Sequence, residues 1–312
     1  MRKIMSMKWT KSDIPELSGK VIIVTGGNSG LGYESVKAFA ENGANVILAS
    51  RSVEKGELAR KDILAKNPVG SISVMSLDLG DLSSIHNFVN LFKSKYNQLD
   101  VLLNNAGIMT TPYFLTKDGL EGQVGTNHLG HVALTAQLID VIKSTPGSRV
   151  VNVSSSAHKY GRMDFNNLLY ENGKDYSPLK AYGRSKLANL LFTYELQRKF
   201  EDHKMDCIAV AAHPGVSQTN LARYVEDKVW FKLMIPLFKL MSQNAEMGAL
   251  PQIRASVDPN VKGGEYYGPD GYREMKGFPV LVRSNKASYN VEDARKLWDI
   301  SQNLTGIIFN FG

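Results

Sequence analysis

Tyr182 and Lys186 stand four residues apart in Ala181-Tyr-Gly-Arg-Ser-Lys-Leu-Ala-Asn189, a spacing that puts both side chains on one face of a helix. A phenol that titrates near 10 is a poor acid-base group at neutral pH. A fixed ammonium beside it favours the phenolate, and such a group can exchange a proton with a carbonyl or alcohol oxygen while a hydride moves at the attached carbon. Taken alone, the spacing is a weak signal and the pair reads better as a packed tyrosine and a solvated lysine. Two upstream motifs set it in a redox context: Thr25-Gly-Gly-Asn-Ser-Gly-Leu-Gly32 and Val151-Asn-Val-Ser-Ser155.

The elements around the first motif explain what it can hold. Lys20-Val-Ile-Ile-Val24 is a β-branched run that predicts one strand buried on both faces. The chain must then turn sharply into a helix, from about Leu31 to Asn42 and closed by Gly43, before a second strand over Asn45 to Ser50. Gly26, Gly30 and Gly32 occupy the turn, where missing Cβ atoms let backbone N–H groups approach a pyrophosphate at the helix N-terminus. Strand, glycine turn, helix and strand in this order are the context a dinucleotide site requires; a glycine turn without ligand is the other reading. At the end of the second strand an NAD-preferring fold carries Asp or Glu. Here the chain reads Ser50-Arg51-Ser52, and Arg51 offers a planar charged fork suited to a 2′-phosphate. NADP(H) is the expected cofactor.

The glycine spacing is Gly-x-x-x-Gly-x-Gly, and with the other motifs in their order it resembles the short-chain dehydrogenase/reductase family over nearly the whole chain. The resemblance implies that Gly26, Asn28, Ser29, Gly30, Leu31 and Gly32 form the cofactor turn and that Asp78 and Leu79 flank the adenine. It implies that Asn104-Asn105-Ala106-Gly107 supports the sheet near the ribose, and that Pro214-Gly215 with Thr219 holds the nicotinamide carboxamide. Asn127, Ser155, Tyr182 and Lys186 would form the catalytic tetrad. In it Tyr182 transfers the proton, Lys186 lowers the phenol's pKa and holds the nicotinamide ribose, Ser155 hydrogen-bonds the substrate oxygen, and Asn127 positions a water. Asn127-His-Leu-Gly-His131, Ser185-Lys-Leu-Ala-Asn189 and His213-Pro-Gly-Val216 are most similar to the retinol-dehydrogenase-like branch. Two features depart from compact members of the family: a polar insert from Gly161 to Pro178, and Ser29 where some NADP-dependent relatives carry a second basic residue. Of the Ser154-Ser155-Ser156 run, Ser155 is the expected catalytic serine because it follows the strand Arg149 to Val153 at the family's position.

Apolar runs alternate with helical patterns along all 312 residues without linker, repeat or low-complexity stretch. This order predicts a single α/β domain, a doubly wound parallel sheet of the Rossmann type. Strands are expected near 21–25, 45–50, 72–76, 100–104, 149–154, 207–212 and 264–267. An N-terminal extension reaches to about residue 19, and a substrate-binding excursion covers about 216–262 after the sixth strand. Within it, the apolar stretch Val229 to Met241 reads as a lid over a lipophilic substrate; ordinary packing, an oligomer contact and an interfacial membrane helix are its other readings.

A net charge of +7 and a pI near 9.2 raise nucleic acid as a partner. The basic residues are dispersed, with no sustained Lys/Arg run, so none is expected; a basic surface also draws a polyanionic cofactor. The lone Cys207 cannot form an internal disulfide and reads as a buried inert thiol. None of the six histidines stands at metal-ligand spacing with Cys or carboxylates, so no metal is expected. Met1-Arg-Lys-Ile-Met-Ser-Met-Lys8 lacks an apolar h-region, which points to the cytoplasm. The expected activity is NADP(H)-dependent interconversion of a small-molecule alcohol and its ketone or aldehyde, with a homo-oligomer left open. A catalytically silent NADP(H)-binding sensor or interaction protein is the alternative; it has no need of the intact Ser155, Tyr182 and Lys186 set.

Overall fold

The computed structural model describes residues 8–217 and 242–312. Among them, eight strands form one sheet: β1 Val21–Thr25, β2 Asn45–Ser50, β3 Ser71–Ser76, β4 Val101–Asn104, β5 Ser148–Val153, β6 Cys207–Ala212, β7 Tyr266–Pro269 and β8 Pro279–Leu281. Their order is β3-β2-β1-β4-β5-β6-β7-β8. The first seven pair in parallel and β8 runs antiparallel to β7 at the edge. The seven expected strands are present, with ends displaced by one or two residues. The eighth escaped the pattern because three residues beginning at a proline carry no readable alternation.

The helices among the described residues are α1 Gly30–Glu41, α2 Val53–Leu64, α3 Leu82–Lys93, α4 Gly122–Val124, α5 Gly130–Gln137, α6 Ile139–Ser144, α7 Pro178–Asp202, α8 Ala245–Val257 and α9 Val291–Thr305. They cover both faces, as the continuous apolar strands demand. Strand residues alternate between the two layers: Ile22, Val24, Val46 and Leu48 pack with α1, α2 and α8, while Val21, Ile23, Ile47 and Ala49 pack with α3, α5, α6 and α7. Ile22, Ile23 and Val24 are fully buried, each such side chain contributing about 1.5–3 kcal/mol. The N-terminal segment seals one end of the core with Trp9, Ile14 and Leu17.

Of the excursion expected over 216–262, residues 218–241 lie outside the described residues, and with them Thr219 and the apolar stretch 229–241. Residues 245–257 are α8, capped by the Asn244 side chain on Met247 N at 2.9 Å. This helix lies on the sheet against α1, with Ala249, Leu250 and Ile253 in the core. Among the described residues no helix is long and apolar enough to cross a membrane.

Helix α7 carries the Tyr182/Lys186 pair and is held from both sides. It starts at Pro178, whose missing N–H costs nothing in a first turn. Phe192, Leu196 and Phe200 face the core under the sheet, while Leu187, Ala188 and Leu191 pack against Ala294 and Leu297 of α9. The polar insert is tied down through the same helix: the Arg184 guanidinium lies 4.0 Å from the Tyr170 ring centroid and donates to the Asn167 and Leu168 carbonyls at 2.6 and 2.9 Å.

Candidate active site

A groove with about 300 Å³ of free space opens at the carboxyl ends of β1 and β4, where the strand order reverses and open α/β sheets bind ligands. Its floor is the turn between β1 and α1. Gly26 and Gly30 have φ of 66° and 55°, left-handed values that favour glycine. A Cβ on Gly32 would lie 2.3 Å from the Gly26 carbonyl oxygen, so only glycine lets the turn close this tightly. Thr25 locks the turn to the end of β4: its Oγ1 accepts the backbone N–H of Asn105 and of Ala106, both at 2.9 Å, and its carbonyl accepts Asn105 Nδ2 at 2.8 Å. The second end of that amide is held by α8, where Gln252 Nε2 donates to Asn105 Oδ1 at 3.0 Å. Neither Thr25 nor Gln252 was singled out by the sequence motifs.

Asn28, Ser29, Gly30, Leu31, Gly32 and Gly26 all line the groove, as do Arg51, Asp78, Leu79, Asn105, Ala106, Gly107, Tyr182, Lys186 and Pro214. Ser50, Ser52 and Lys55 join Arg51 at one end. Lys55 is a second basic residue at this corner that the sequence reading overlooked. Ser52 caps α2 by accepting Lys55 N at 3.2 Å, so Lys55 sits one turn from Arg51 on the same rim. Both side chains are exposed. The groove thus has a cationic mouth with a serine-lined wall, a glycine floor of backbone N–H groups, and a closed end at Tyr182. Those donors fit a dinucleotide.

At the closed end Tyr182 and Lys186 are almost completely buried, at 6% and 4% exposure. Lys186 Nζ donates to the Val153 carbonyl at 3.0 Å and lies 5.8 Å from the Tyr182 ring centroid. Burial holds the ammonium down to about 8. The phenol departs from expectation. Burial raises it above its ordinary 10 and the Ser155 hydroxyl pulls the other way, so in the free protein desolvation outweighs that hydroxyl. Ser155 is the serine whose hydroxyl acts on the Tyr182 phenol; its Oγ accepts Ala157 N at 3.2 Å, and the residue does not line the groove. Ser154 borders the groove, but its hydroxyl donates to the Lys186 carbonyl at 2.8 Å.

Asn127 sits in a π-helical turn, Gly125–Leu129, between α4 and α5, a local widening common at functional sites. Its side-chain amide is bonded at both ends: Oδ1 accepts Ile108 N at 2.8 Å, and Nδ2 donates to the Ile108 carbonyl and to Ser185 Oγ, both at 2.9 Å. It clamps the chain after β4 to α7 rather than projecting into the groove. A Cβ on Gly107 next to it would sit tightly against Asn127 Oδ1 at 3.2 Å and in ordinary contact with Lys186 Nζ at 3.5 Å. Gly215 follows Pro214 with φ of 64°, and a Cβ there would meet the Met275 carbonyl at 2.3 Å.

A phosphate-binding end, a dinucleotide floor and a buried acid-base end along one crevice define the class of dinucleotide-dependent oxidoreductases on a Rossmann sheet. The chain belongs to the short chain dehydrogenase family, whose model matches residues 20–230; that family works with a nicotinamide cofactor. It is 39% identical over 307 residues to retinol dehydrogenase 11 of Homo sapiens, covering 98% of this chain and 92% of that protein. It is 38% identical over 294 residues to retinol dehydrogenase 12 of Mus musculus, covering 94% and 88%. These similarities place it in the retinol-dehydrogenase-like branch. Among solved structures, a protein from Mycobacterium Paratuberculosis matches with a TM-score of 0.81 at 38% identity, covering 97% of this chain and 99% of that one. A Shigella flexneri short chain dehydrogenase complexed with NADP shares the fold at 19% identity, with a TM-score of 0.61 and coverage of 80% and 97%.

Proposed function

We propose that this chain is a single-domain NADP(H)-dependent oxidoreductase that interconverts a lipophilic alcohol and its aldehyde or ketone. The observation that carries the reading is the convergence of Tyr182 and Lys186, with Ser155 beside the phenol, at the buried end of a groove whose open end bears Arg51 and Lys55. A bound nicotinamide supplies or accepts the hydride. Tyr182 gives its proton to the carbonyl oxygen in reduction, and takes it back in oxidation. Ser155, beside the phenol, hydrogen-bonds the same oxygen and holds it within reach. Lys186 contributes charge at the closed end and a donor for the nicotinamide ribose. Asn127 serves by fixing Ile108 and Ser185 rather than by touching substrate.

NADPH is favoured over NADH by the two cations at the mouth, since a 2′-phosphate meets both while a 2′-hydroxyl gains little from either. Lipophilic carbonyls are favoured by the apolar wall beside the closed end, Ile108, Met109 and Val153, and by the names of the full-length relatives.

The test is a carbonyl-reduction screen that follows NADPH absorbance with decanal, all-trans-retinaldehyde and glyceraldehyde. Turnover of the first two over the third supports the reading. NADPH binding without turnover of any carbonyl, or of the matching alcohols with NADP, sinks the activity and leaves the silent sensor.

A further inference from the structure

His213 follows β6 and precedes the Pro214-Gly215-Val216 strap at the closed end of the groove. Its ring is completely buried, and there is no space beside it: a Cβ on Gly268 would lie 2.1 Å from its Nε2. Gly215 N–H donates to Nδ1 at 3.3 Å, which leaves that nitrogen bare and puts the ring proton on Nε2. Nε2 lies 3.1 Å from Glu274 Oε2, a close polar contact without the alignment of a hydrogen bond, and the same oxygen accepts Lys159 Nζ at 3.3 Å. Burial keeps the imidazole neutral, and the carboxylate is held down to about 2, chiefly by this contact.

Glu274 comes from the connection between β7 and β8, and the backbone there is set to deliver it. Arg273 and Glu274 both have left-handed φ, 50° and 59°, which successive non-glycine residues adopt only where the surroundings hold them. The same connection grips the strap by its backbone. Val216 N donates to the Met275 carbonyl at 2.7 Å. Gln243 links the two, with Nε2 on the Pro214 carbonyl at 3.0 Å and Oε1 accepting Gly277 N at 2.9 Å.

We propose that Glu274 is a positioning residue for hydride transfer, fixing the Pro214-Gly215-Val216 strap through His213 so that the nicotinamide end of the groove keeps one shape. The proposal rests on the oxidoreductase reading above. Glu274 touches neither cofactor nor substrate. A loose strap leaves the phosphate end intact, so affinity and rate separate.

Glu274→Met removes the acceptor and keeps the bulk. NADPH Kd should stay within about 3-fold, since the Arg51 end is distant and independent, while the single-turnover rate with decanal falls about 10- to 100-fold. The fluorescence gain of the bound nicotinamide should fall towards that of free NADPH. Glu274→Gln offers an amide oxygen to the same N–H and should recover most of both signals. Glu274→Ala stands in should the methionine variant not fold. Wild-type nicotinamide fluorescence in folded Glu274→Met, or equal losses in Glu274→Met and Glu274→Gln, overturns the proposal. The fluorescence arm needs no substrate and is run with both NADPH and NADH, so it decides the matter even where the carbonyl screen fails.

Discussion

Replacing Lys186 by methionine should make the cofactor-free protein more stable while removing its activity. The ammonium titrates near 8 where an ordinary lysine titrates at 10.5. At about 1.4 kcal/mol for each pH unit between them, its burial costs the folded state about 3 kcal/mol at neutral pH. Methionine fills the same volume without charge, as apolar replacements of buried ions often do. The hydrogen bond to the Val153 carbonyl is lost, worth about 1 kcal/mol, but that carbonyl still accepts Asn189 Nδ2 at 3.1 Å. About 2 kcal/mol of net stabilisation remains, or roughly 4 °C in Tm for a chain of this size. The pH dependence follows from the lowered value. Between about 8 and 10.5 the unfolded chain binds the lysine proton and the folded one does not, so wild-type stability rises relative to the variant across that window. Calorimetry of both proteins without cofactor at pH 7 and pH 10 measures this directly. A variant less stable than wild type at pH 7, or a gap that stays constant up to pH 10, would refute the claim that desolvation of Lys186 is a cost of the site.

Two further outcomes are expected. Arg51→Ala should weaken NADPH about 10-fold, and Arg51→Ala with Lys55→Ala about 100-fold at low salt, with NADH within about 2-fold of wild type; equal weakening of both cofactors in titrations excludes a 2′-phosphate contact. Tyr182→Phe should retain NADPH binding and lose about 10²- to 10⁴-fold in single-turnover rate, and a variant that keeps more than roughly a tenth of the rate is incompatible with the phenol as proton donor.

What could be read from the chain divides by the distance over which the information is stored. The strands are buried on both faces, so β1, β2 and β4 to β6 announce themselves as apolar runs. The glycine turn is equally local, because Gly26, Gly30 and Gly32 are forced by backbone geometry within one loop. Lys55 was legible in principle: helix phase from the Ser52 cap puts it one turn beyond Arg51. The pairing of His213 with Glu274 was not, since nothing in His213-Pro-Gly-Val216 tells which distant loop returns to it. Nor was the direction of the Tyr182 shift. The Tyr-x-x-x-Lys spacing gives proximity, whereas the pKa depends on how completely α7 is enclosed by the sheet and by α9, a property of the whole fold.

The same division has a functional side. Residues from Gly26 through Gly107, with Arg51 and Lys55, build a groove half whose donors would meet phosphates and ribose on the proposed reading, and these groups are the same in every state of a redox reaction. Interactions of that kind supply affinity without accelerating chemistry. Residues from Ser155 onward, with Tyr182, Lys186 and the His213 strap, would on the proposed reading surround the atoms that change. They are held by long-range packing: α7 by α9, the strap by the β7–β8 connection, the serine by the end of β5. Rigid support costs stability at Lys186 and backbone strain at Arg273 and Glu274, and both costs lie at the reacting end. Substitutions at the mouth should therefore read out as cofactor affinity and those at the closed end as rate, because the fold anchors the two ends of one groove by independent means.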